Sequence, residues 1–544
     1  MTRVCVLGTG GAGLVAAVAA ADAGADVTVV EKGSRVGGTT ALSGGTTWIP
    51  AVEGGRDDAL SYLDSLSHGL IDRSLAEAFV DTGPEFLAWV QERTPVGFHV
   101  APGLPDYHPE HPGGKPKGGR SHDPDLFRVG SLGEWADRIV MPERTPRLML
   151  TEVGLGGGDG LAPGTPDRAR RKAEDWRGCG HALVAGLLSY LLDRGIEPRL
   201  GAGAVELLHA PTSLPNEGAV RATRLPEGAV RSGVGRVVGV RLSDGSVIEA
   251  DAVVIATGGF EWDRGLVHSF LRGPMTDPAS VPTNTGDGLR MAMAAGAELG
   301  TMREAWWVPT IRIPGAERPE LVLPERTRPG SIMVNGAGRR FTNEAANYNA
   351  LGGAFHQFDV SSFRYANLPC WLVVDAAHLR RYGFLSVPPG ASTPDWMTTA
   401  DTLDDLGAAL GLPDGALAAT VARFNAHAVD GTDPDFGRGV SAYDGWNGDL
   451  DHYPGPGATL GPLLEPPFHA VEVHSGCLGT KGGPRTTVDG EVLHVTGGAI
   501  PGLYAAGNAM AGTTGMVYGG AGGTLGPAMV FGYRAGRHAA GVRS

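Results

Sequence analysis

Arg3-Val4-Cys5-Val6-Leu7-Gly8-Thr9-Gly10-Gly11-Ala12-Gly13 decides how the rest of the chain is read. Arg3 to Leu7 is a short apolar run that predicts a strand. The glycines that follow predict a tight turn, and the alanine-rich stretch to about Ala23 predicts a helix. A second strand, Asp26 to Val30, ends on Glu31. Each glycine has its own task in a βαβ unit that binds a dinucleotide. Gly8 makes the turn, Gly10 admits a pyrophosphate to the helix N-terminus, and Gly13 lets helix and strand pack closely. Glu31 would accept hydrogen bonds from the ribose hydroxyls of the adenosine half. A glycine-rich turn alone is weak evidence, but strand, turn, helix, strand and acid in this order are specific. The apolar run Leu14 to Ala21 is therefore read as the helix beneath the pyrophosphate. As a signal sequence it would lack a strong basic flank, and Asp22 interrupts it.

The next motif separates one dinucleotide from another. Gly37-Gly38-Thr39-Thr40-Ala41-Leu42-Ser43-Gly44-Gly45 is a second glycine and hydroxyl loop directly after the acidic strand. A nicotinamide enzyme has no need of it, whereas a long flavin dinucleotide has. Two distant segments complete the pattern, Ala252-Val253-Val254-Ile255-Ala256-Thr257-Gly258-Gly259 and Gly502-Leu503-Tyr504-Ala505-Ala506-Gly507-Asn508. On these motifs the chain resembles the FAD-binding flavoproteins of the fumarate reductase and ketosteroid dehydrogenase superfamily. The resemblance implies an α/β fold with an α+β cap. A Rossmann-like FAD-binding domain, discontinuous in sequence, is expected over residues 1–300 and 470–544, with an inserted catalytic domain over 301–469.

Composition narrows the classes. The chain has 544 residues, enough for two or more domains, and a formal net charge of −14 with a pI near 5.6. That balance argues against nucleic acid, which is recognised by concentrated basic surface. The 86 glycines, roughly twice the usual share, cluster at element junctions without a three-residue period, as expected of a protein that wraps backbone around a ligand. Four scattered cysteines, Cys5, Cys179, Cys370 and Cys477, form no CxxC pair. They suggest a reducing compartment and no metal site, and His469 and His474 show no HxxxH pairing. No run of 18 apolar residues predicts a membrane span. The expected location is cytoplasmic, or at a membrane through the substrate or the electron acceptor.

Along the chain, Asp57 to Leu66 and Ser74 to Glu92 have helical periodicity, and residues 101–125, rich in Pro, Gly and His, read as a loop. His181 to Arg194 predicts a helix leading to a strand near Ala204-Val205-Glu206-Leu207-Leu208, and 211–235 reads as an exposed excursion. Thr285-Gly286-Asp287-Gly288 opens another helix, with Asp287 either a helix-start residue or near the flavin.

The chemistry is expected at Val517-Tyr518-Gly519-Gly520-Ala521-Gly522-Gly523-Thr524-Leu525-Gly526-Pro527. Its glycines allow close approach of backbone to a ligand. Pro527 is suited to open a last amphipathic helix over Ala528 to Gly536, whose positive end would face an anion or an electron-rich ring. With Pro105-Asp106-Tyr107-His108-Pro109-Glu110, Gly338-Arg339-Arg340-Phe341-Thr342-Asn343-Glu344-Ala345-Ala346-Asn347-Tyr348 and Gly479-Thr480-Lys481-Gly482-Gly483, this stretch is similar to the 3-ketosteroid Δ1-dehydrogenases over nearly the whole chain. Three of only 11 tyrosines fall at the family's catalytic positions.

The resemblance implies four catalytic groups. Tyr348 would be the base for the proton alpha to a ketone, assisted by Tyr107, and Tyr518 with the Gly522 N–H would form the oxyanion hole. A tyrosine of ordinary pKa, about 10, is mostly protonated at neutral pH, so some lowering or relay is required. The implied cofactor is non-covalent FAD, since no histidine follows Gly38 where covalently flavinylated relatives carry one. Its expected contacts are Gly8, Gly10, Gly11, Ala12 and Gly13 in the first turn, then Glu31 and Lys32. The second loop adds Gly38, Thr39, Thr40, Ser43, Gly44 and Gly45. Val205, Ala256, Thr257, Gly258 and Asp287 follow, and the C-terminal part supplies Gly507, Asn508, Gly523, Thr524 and Leu525. The implied reaction is 1,2-desaturation of a 3-ketosteroid with an unidentified electron acceptor. Alternatives are 4,5-desaturation, a non-steroidal polycyclic ketone, a fumarate reductase-like reaction towards saturation, or a flavin module without catalysis.

Plain readings stand beside these. A tyrosine among polar loop residues is usually a packing residue, and Gly522 depends on Tyr518 for its role. Leu104 stands where relatives often carry another pocket tyrosine. Arg339 and Arg340 read as structural or surface cations. Tyr453 to Pro462 echoes the C-terminal stretch, yet the prolines after it, Pro466 and Pro467, bar a helix, and it reads as a linker. Trp306, Trp307 and Met516 are pocket candidates by position alone.

Overall fold

The computed structural model describes every residue except 53–54, 143–145, 153–165, 211–234 and 543–544. The excursion expected at 211–235 therefore lies almost wholly outside the described residues.

Arg3–Leu7 is the second strand of a five-stranded sheet. It pairs in parallel with Asp26–Val30 on one side and Ala252–Ile255 on the other. Ala252–Ile255 pairs in parallel with Ala499–Ala505, and Glu491–Leu493 closes that edge antiparallel. Val4 to Leu7 and Ala252 to Ile255 are buried throughout, as in parallel strands covered on both faces, where alternation gives way to continuous apolar runs. The helix Gly11–Asp22 is buried from Gly11 to Ala20. A closing helix, Leu525–Ala539, packs against it. The backbones meet because Gly532 and Gly536 lie on the carbonyls of Ala12 and Ala16, where a Cβ would have no room. Leu14 to Ala21 is thus a core helix, and the two ends of the chain share one core.

The closing helix starts earlier than Pro527. Thr524 precedes it and Pro527 is its third residue, still in the first turn where helical N–H groups lack partners and a missing one costs nothing. Residues 101–125 are not a plain loop. Phe98–Pro102 and Gly118–Pro124 pair antiparallel, and the latter also pairs with Thr47–Trp48. The strand hides from apolar periodicity because its buried residues include Arg120, Ser121, His122 and Asp123, with Arg120 bonded to Asp106 and Asp123 to Thr46.

A second, mostly antiparallel sheet carries Ala305–Ile311, Phe468–Thr480, Cys370–Asp375 and Ser331–Asn335, in that order. All of Phe468–Thr480 belongs to it, and Asp277–Pro278 pairs with the same strand. Phe468–Thr480 is thus one continuous strand that crosses position 469/470.

Among the described residues no helix is long and apolar enough to cross a membrane.

Candidate active site

One continuous cavity of about 690 Å³ runs between the sheets, from the turn at Gly8 to a cluster of tyrosines. At the glycine end, Gly8 has φ +106°, and a Cβ there would run into the Ala256 carbonyl, as one at Gly13 would run into that of Gly8. Gly10 differs. Its φ is an ordinary −67°, and the nearest atom to a Cβ would be Thr40 Oγ1 at 3.6 Å. No protein atom demands glycine at 10, so the space in front of it belongs to a ligand. Thr40 Oγ1 accepts from Gly11 N at 2.9 Å, which joins the second loop to the first. Glu31 accepts from Thr9 N at 3.1 Å, Thr9 Oγ1 at 2.6 Å and Gly33 N at 2.7 Å, leaving lone-pair capacity for ribose hydroxyls. Lys32 Nζ meets Asp287 at 2.7 Å and Thr285 at 2.6 Å. Asp287 thus opens its helix beside the acidic strand and pairs with a lysine. The backbone cradle, free helix N-terminus and acid fit an adenine dinucleotide.

Of the expected contacts, Gly13, Val205 and Gly523 do not line the cavity, and all others do. Gly13 serves packing. The Val205 side chain is 56% exposed, so a contact there would be made by backbone, as the resemblance implies, beside Ala202, Gly203 and Ala204 on the wall. Gly523 lies against the Tyr518 ring. Trp306, Trp307 and Met516 do not line the cavity either. Val308, Leu321, Leu323, Leu385 and Leu478 supply apolar wall instead.

At the other end Tyr107, Tyr348 and Tyr518 come together from three distant segments. Tyr107 O–H donates to Tyr348 at 2.9 Å, and Tyr348 O–H donates to Tyr518 at 2.9 Å. Thr524 Oγ1 donates to Tyr518 at 3.2 Å. The Tyr107 and Tyr518 rings stack at 5.0 Å, with Tyr348 edge-on to both at 5.4 Å. Tyr348 is the first residue of the helix Tyr348–Phe355, capped by the Asn347 side chain, which accepts from Ala350 N at 3.0 Å.

Trp48 and Tyr62, which motif reading missed, hold the loops in register. Trp48 Nε1 donates to Asp106 at 2.9 Å, and its backbone N–H donates to Gly522 O at 3.1 Å. Its ring fills the space a Cβ at Gly519 or Gly520 would need. Tyr62 O–H donates to Gly519 O at 2.8 Å and accepts from His108 N at 3.0 Å. The buried pair Arg120–Asp106, at 2.7 Å, fixes the loop before Tyr107. A fourth tyrosine, Tyr443, packs 4.8 Å from Tyr107 and also lines the cavity. Lys481 lies 3.7 Å over the Trp306 ring, which packs edge-on against Tyr518. Its amine donates to Val517 O at 2.8 Å, and burial brings its pKa down to about 7.

Gly522 has φ +92°, and a Cβ there would run into the Thr46 carbonyl. Its N–H has no protein acceptor among the described residues, and Gly522 lines the cavity. Electrostatics at this end oppose ionisation. Burial raises Tyr348 and Tyr107 well above the ordinary tyrosine value, and raises Tyr518 as well. The donation from Tyr107 works the other way on Tyr348, lowering it.

Arg340 is buried and paired with Glu344 at 2.7 Å and Asp433 at 2.9 Å, which makes it structural. One group of metal-ligand type exists among the described residues. His108, Glu110 and His111 bring ligand atoms within 4.8 Å of one another, and each is already in contact with Asn347, Ser441 or Ser65.

A family model described as FAD binding domain matches residues 3–525. The 4-oxocyclohexanecarboxylate 2-dehydrogenase of Sinomonas cyclohexanicum is 42% identical, over 99% of this chain and 92% of its own. The 3-oxosteroid 1-dehydrogenase of Mycobacterium tuberculosis is 37% identical, over 99% and 98%. The solved 3-ketosteroid Δ1-dehydrogenase of Sterolibacterium denitrificans, in complex with 1,4-androstadiene-3,17-dione, superposes with a TM-score of 0.88 at 31% identity, covering 99% and 100%.

Proposed function

The chain belongs to the FAD-binding flavoprotein family of the 3-ketosteroid dehydrogenases and fumarate reductases, and from that premise we propose that it oxidises the carbon–carbon single bond beside a ring ketone. The observation that carries this reading is the meeting of three tyrosine hydroxyls with the unengaged N–H of Gly522 at one end of the cavity. FAD, held non-covalently, supplies the hydride acceptor for the beta carbon.

The protein's own groups handle the proton and the oxygen. The ketone oxygen takes hydrogen bonds from Tyr518 O–H and Gly522 N–H, donors aimed where negative charge develops as the enolate forms. Tyr348 takes the proton from the alpha carbon. Because Tyr518 and Tyr348 are neighbours, one ring places its carbonyl on the first and its alpha hydrogen on the second. Tyr107 donates to Tyr348 and so stabilises the phenolate that accepts the proton. The alpha proton goes to Tyr348, the beta hydrogen leaves with its electron pair, and the carbon–carbon double bond forms between them. At rest Tyr348 is neutral, held so by burial, so its own hydroxyl proton must first leave to solvent, and the phenolate that then takes the alpha proton is the minor, reactive form.

For the ring itself we propose the six-membered ketone oxidised at the bond that is the 1,2-bond of a 3-ketosteroid. The 3-oxosteroid 1-dehydrogenase relative supports this, and the relative named for 4-oxocyclohexanecarboxylate shares a ketone on a six-membered ring. The tyrosines favour oxidation over a fumarate reductase-like reaction, which would use an arginine acid. Electrons leave to an acceptor other than NAD, since only one complete dinucleotide unit is present among the motifs.

Anaerobic mixing of the yellow protein with ring ketones tests this. Bleaching by a 3-ketosteroid saturated at the 1,2-bond, with the new double bond located there, is expected. A product desaturated at 4,5 would change the regiochemistry. Efficient turnover with NAD alone, or no bleaching by any ring ketone, would overturn the proposal.

A further inference from the structure

The buried arginines of the second domain divide by what neutralises them. Arg438 contacts Glu344 at 3.2 Å, and Arg340 is paired with both Glu344 and Asp433. Arg326, only 1% exposed, has no carboxylate partner among the described residues. Its Nε donates to Val322 O at 3.1 Å, and its Nη1 donates to Glu344 O and, at 2.7 Å, to Ala346 O. The bonds of Arg326 come from Nε and Nη1, none from Nη2 among the described residues, and Arg326 lines the active-site cavity. The neighbouring acid does not serve. Glu325 accepts from Leu323 N and Leu385 N, at 3.1 and 3.3 Å, and burial pushes its carboxyl up towards the neutral form.

A guanidinium stays charged in a protein, and a buried charge without an opposite charge is costly. Three carbonyls fix the Arg326 plane, and no carboxylate among the described residues reaches ion-pair distance of it at the cavity wall. The acceptors Glu344 O and Ala346 O lie in the segment that leads into Tyr348, so the free nitrogen shares a wall with the proposed base. Arg318, half-buried and without an ion pair among the described residues, lines the same cavity. Leu321, Leu323 and Leu385 supply apolar surface between polar groups.

Resting on the ring-ketone reading above, we propose that the substrate carries a carboxylate on its ring, received by Nη2 of Arg326, with Arg318 as a second cation. A phosphate fits less well, since one free guanidinium nitrogen satisfies part of a carboxylate but leaves most of a dianion unpaired, and Glu325 and Glu320 line the same wall. The carboxylate neutralises Arg326 and fixes the ring, so that ketone and alpha hydrogen reach Tyr518 and Tyr348.

The test compares 4-oxocyclohexanecarboxylate with its methyl ester on the wild-type holoenzyme. Binding is read from the flavin absorbance perturbation, and oxidation from anaerobic bleaching. The acid is expected to half-saturate at a concentration about 30-fold below the ester or lower, as for a buried charge-assisted pair. Arg326→Gln should raise the acid's half-saturating concentration to the ester's. If that variant does not fold, the acid-to-ester ratio of wild type decides by itself. An ester that binds as well as the acid overturns the inference, and so does a neutral 3-ketosteroid oxidised with a higher kcat/KM than the acid. If neither these compounds nor a 3-ketosteroid bleaches the flavin, the desaturation reading falls, while the acid-to-ester binding ratio still decides whether Arg326 receives a carboxylate.

Discussion

The two ends of the cavity are built on opposite plans. The dinucleotide end is backbone, with a few consecutive residues around Gly8 to Gly13 bending so that N–H groups face the ligand. The tyrosine end is side chains, three hydroxyls carried in by segments far apart and held by Trp48, Tyr62 and the Arg120–Asp106 pair. Backbone sites fail by exclusion, when an added atom occupies the ligand's place or a neighbour's. Hydroxyl sites fail by chemistry, since an oxygen can be removed with the shape preserved.

The largest effects should separate glycines within the first plan. Gly13→Val puts side chain into the Gly8 carbonyl and is expected to abolish soluble folded protein. Gly10→Val meets little protein and is expected to give folded, colourless protein, judged by circular dichroism and flavin absorbance. Full flavin on Gly10→Val would end the division between a glycine kept for packing and one kept for the ligand.

The second plan should lose rate while keeping shape. Tyr348→Phe is expected to slow flavin reduction by about 1000-fold, within the range for a missing general base, while substrate binding persists. Exchange of the alpha hydrogen in heavy water at the wild-type rate would remove Tyr348 as the base. Tyr518→Phe should cost about 100-fold through a lost oxyanion donor and loosen ketone binding, measured by stopped flow. Tyr107→Phe, which removes the donor that stabilises the Tyr348 phenolate and so lowers the fraction of active base, should cost about 30-fold, the worth of one hydrogen bond to a charged group. A larger loss at Tyr107 than at Tyr348 would exchange their roles.

The smallest effect is in the wild type. Because burial raises Tyr348, its reactive, deprotonated form grows with pH across the neutral range. Flavin reduction should rise by at most about tenfold per pH unit and should not fall again below pH 9. The same burial has the opposite sign for stability. Keeping Tyr348 neutral stabilises the fold fully below the ordinary tyrosine pKa, and that contribution is lost as pH climbs above it. A rate that declines between pH 7 and 9 would point to an acid, not a base, in the limiting step.

How much could be read beforehand follows the same division. The glycine turn, Glu31 and the parallel strands were legible because steric demands act within a few residues and leave a local pattern. The tyrosines were found through resemblance alone, since nothing near Tyr107 in sequence announces Tyr348. Trp48, Tyr62 and Arg326 were missed for a different reason, as their partners are distant carbonyls and rings. The strand Gly118–Pro124 was missed because buried polar residues do not follow apolar periodicity.

Trp48 has a consequence for how such a chain can diverge. Its indole occupies the room above Gly519 and Gly520, and its own carbonyl bars a side chain at Gly526. The first two positions cannot drift independently of it, and a larger residue at 519 or 520 should be found only in descendants that carry a smaller one at 48. Gly526 has no such escape, because the obstruction is main chain and every residue type at 48 brings it. In an alignment of diverged copies, 48 should vary jointly with 519 and 520, while 526 stays glycine throughout.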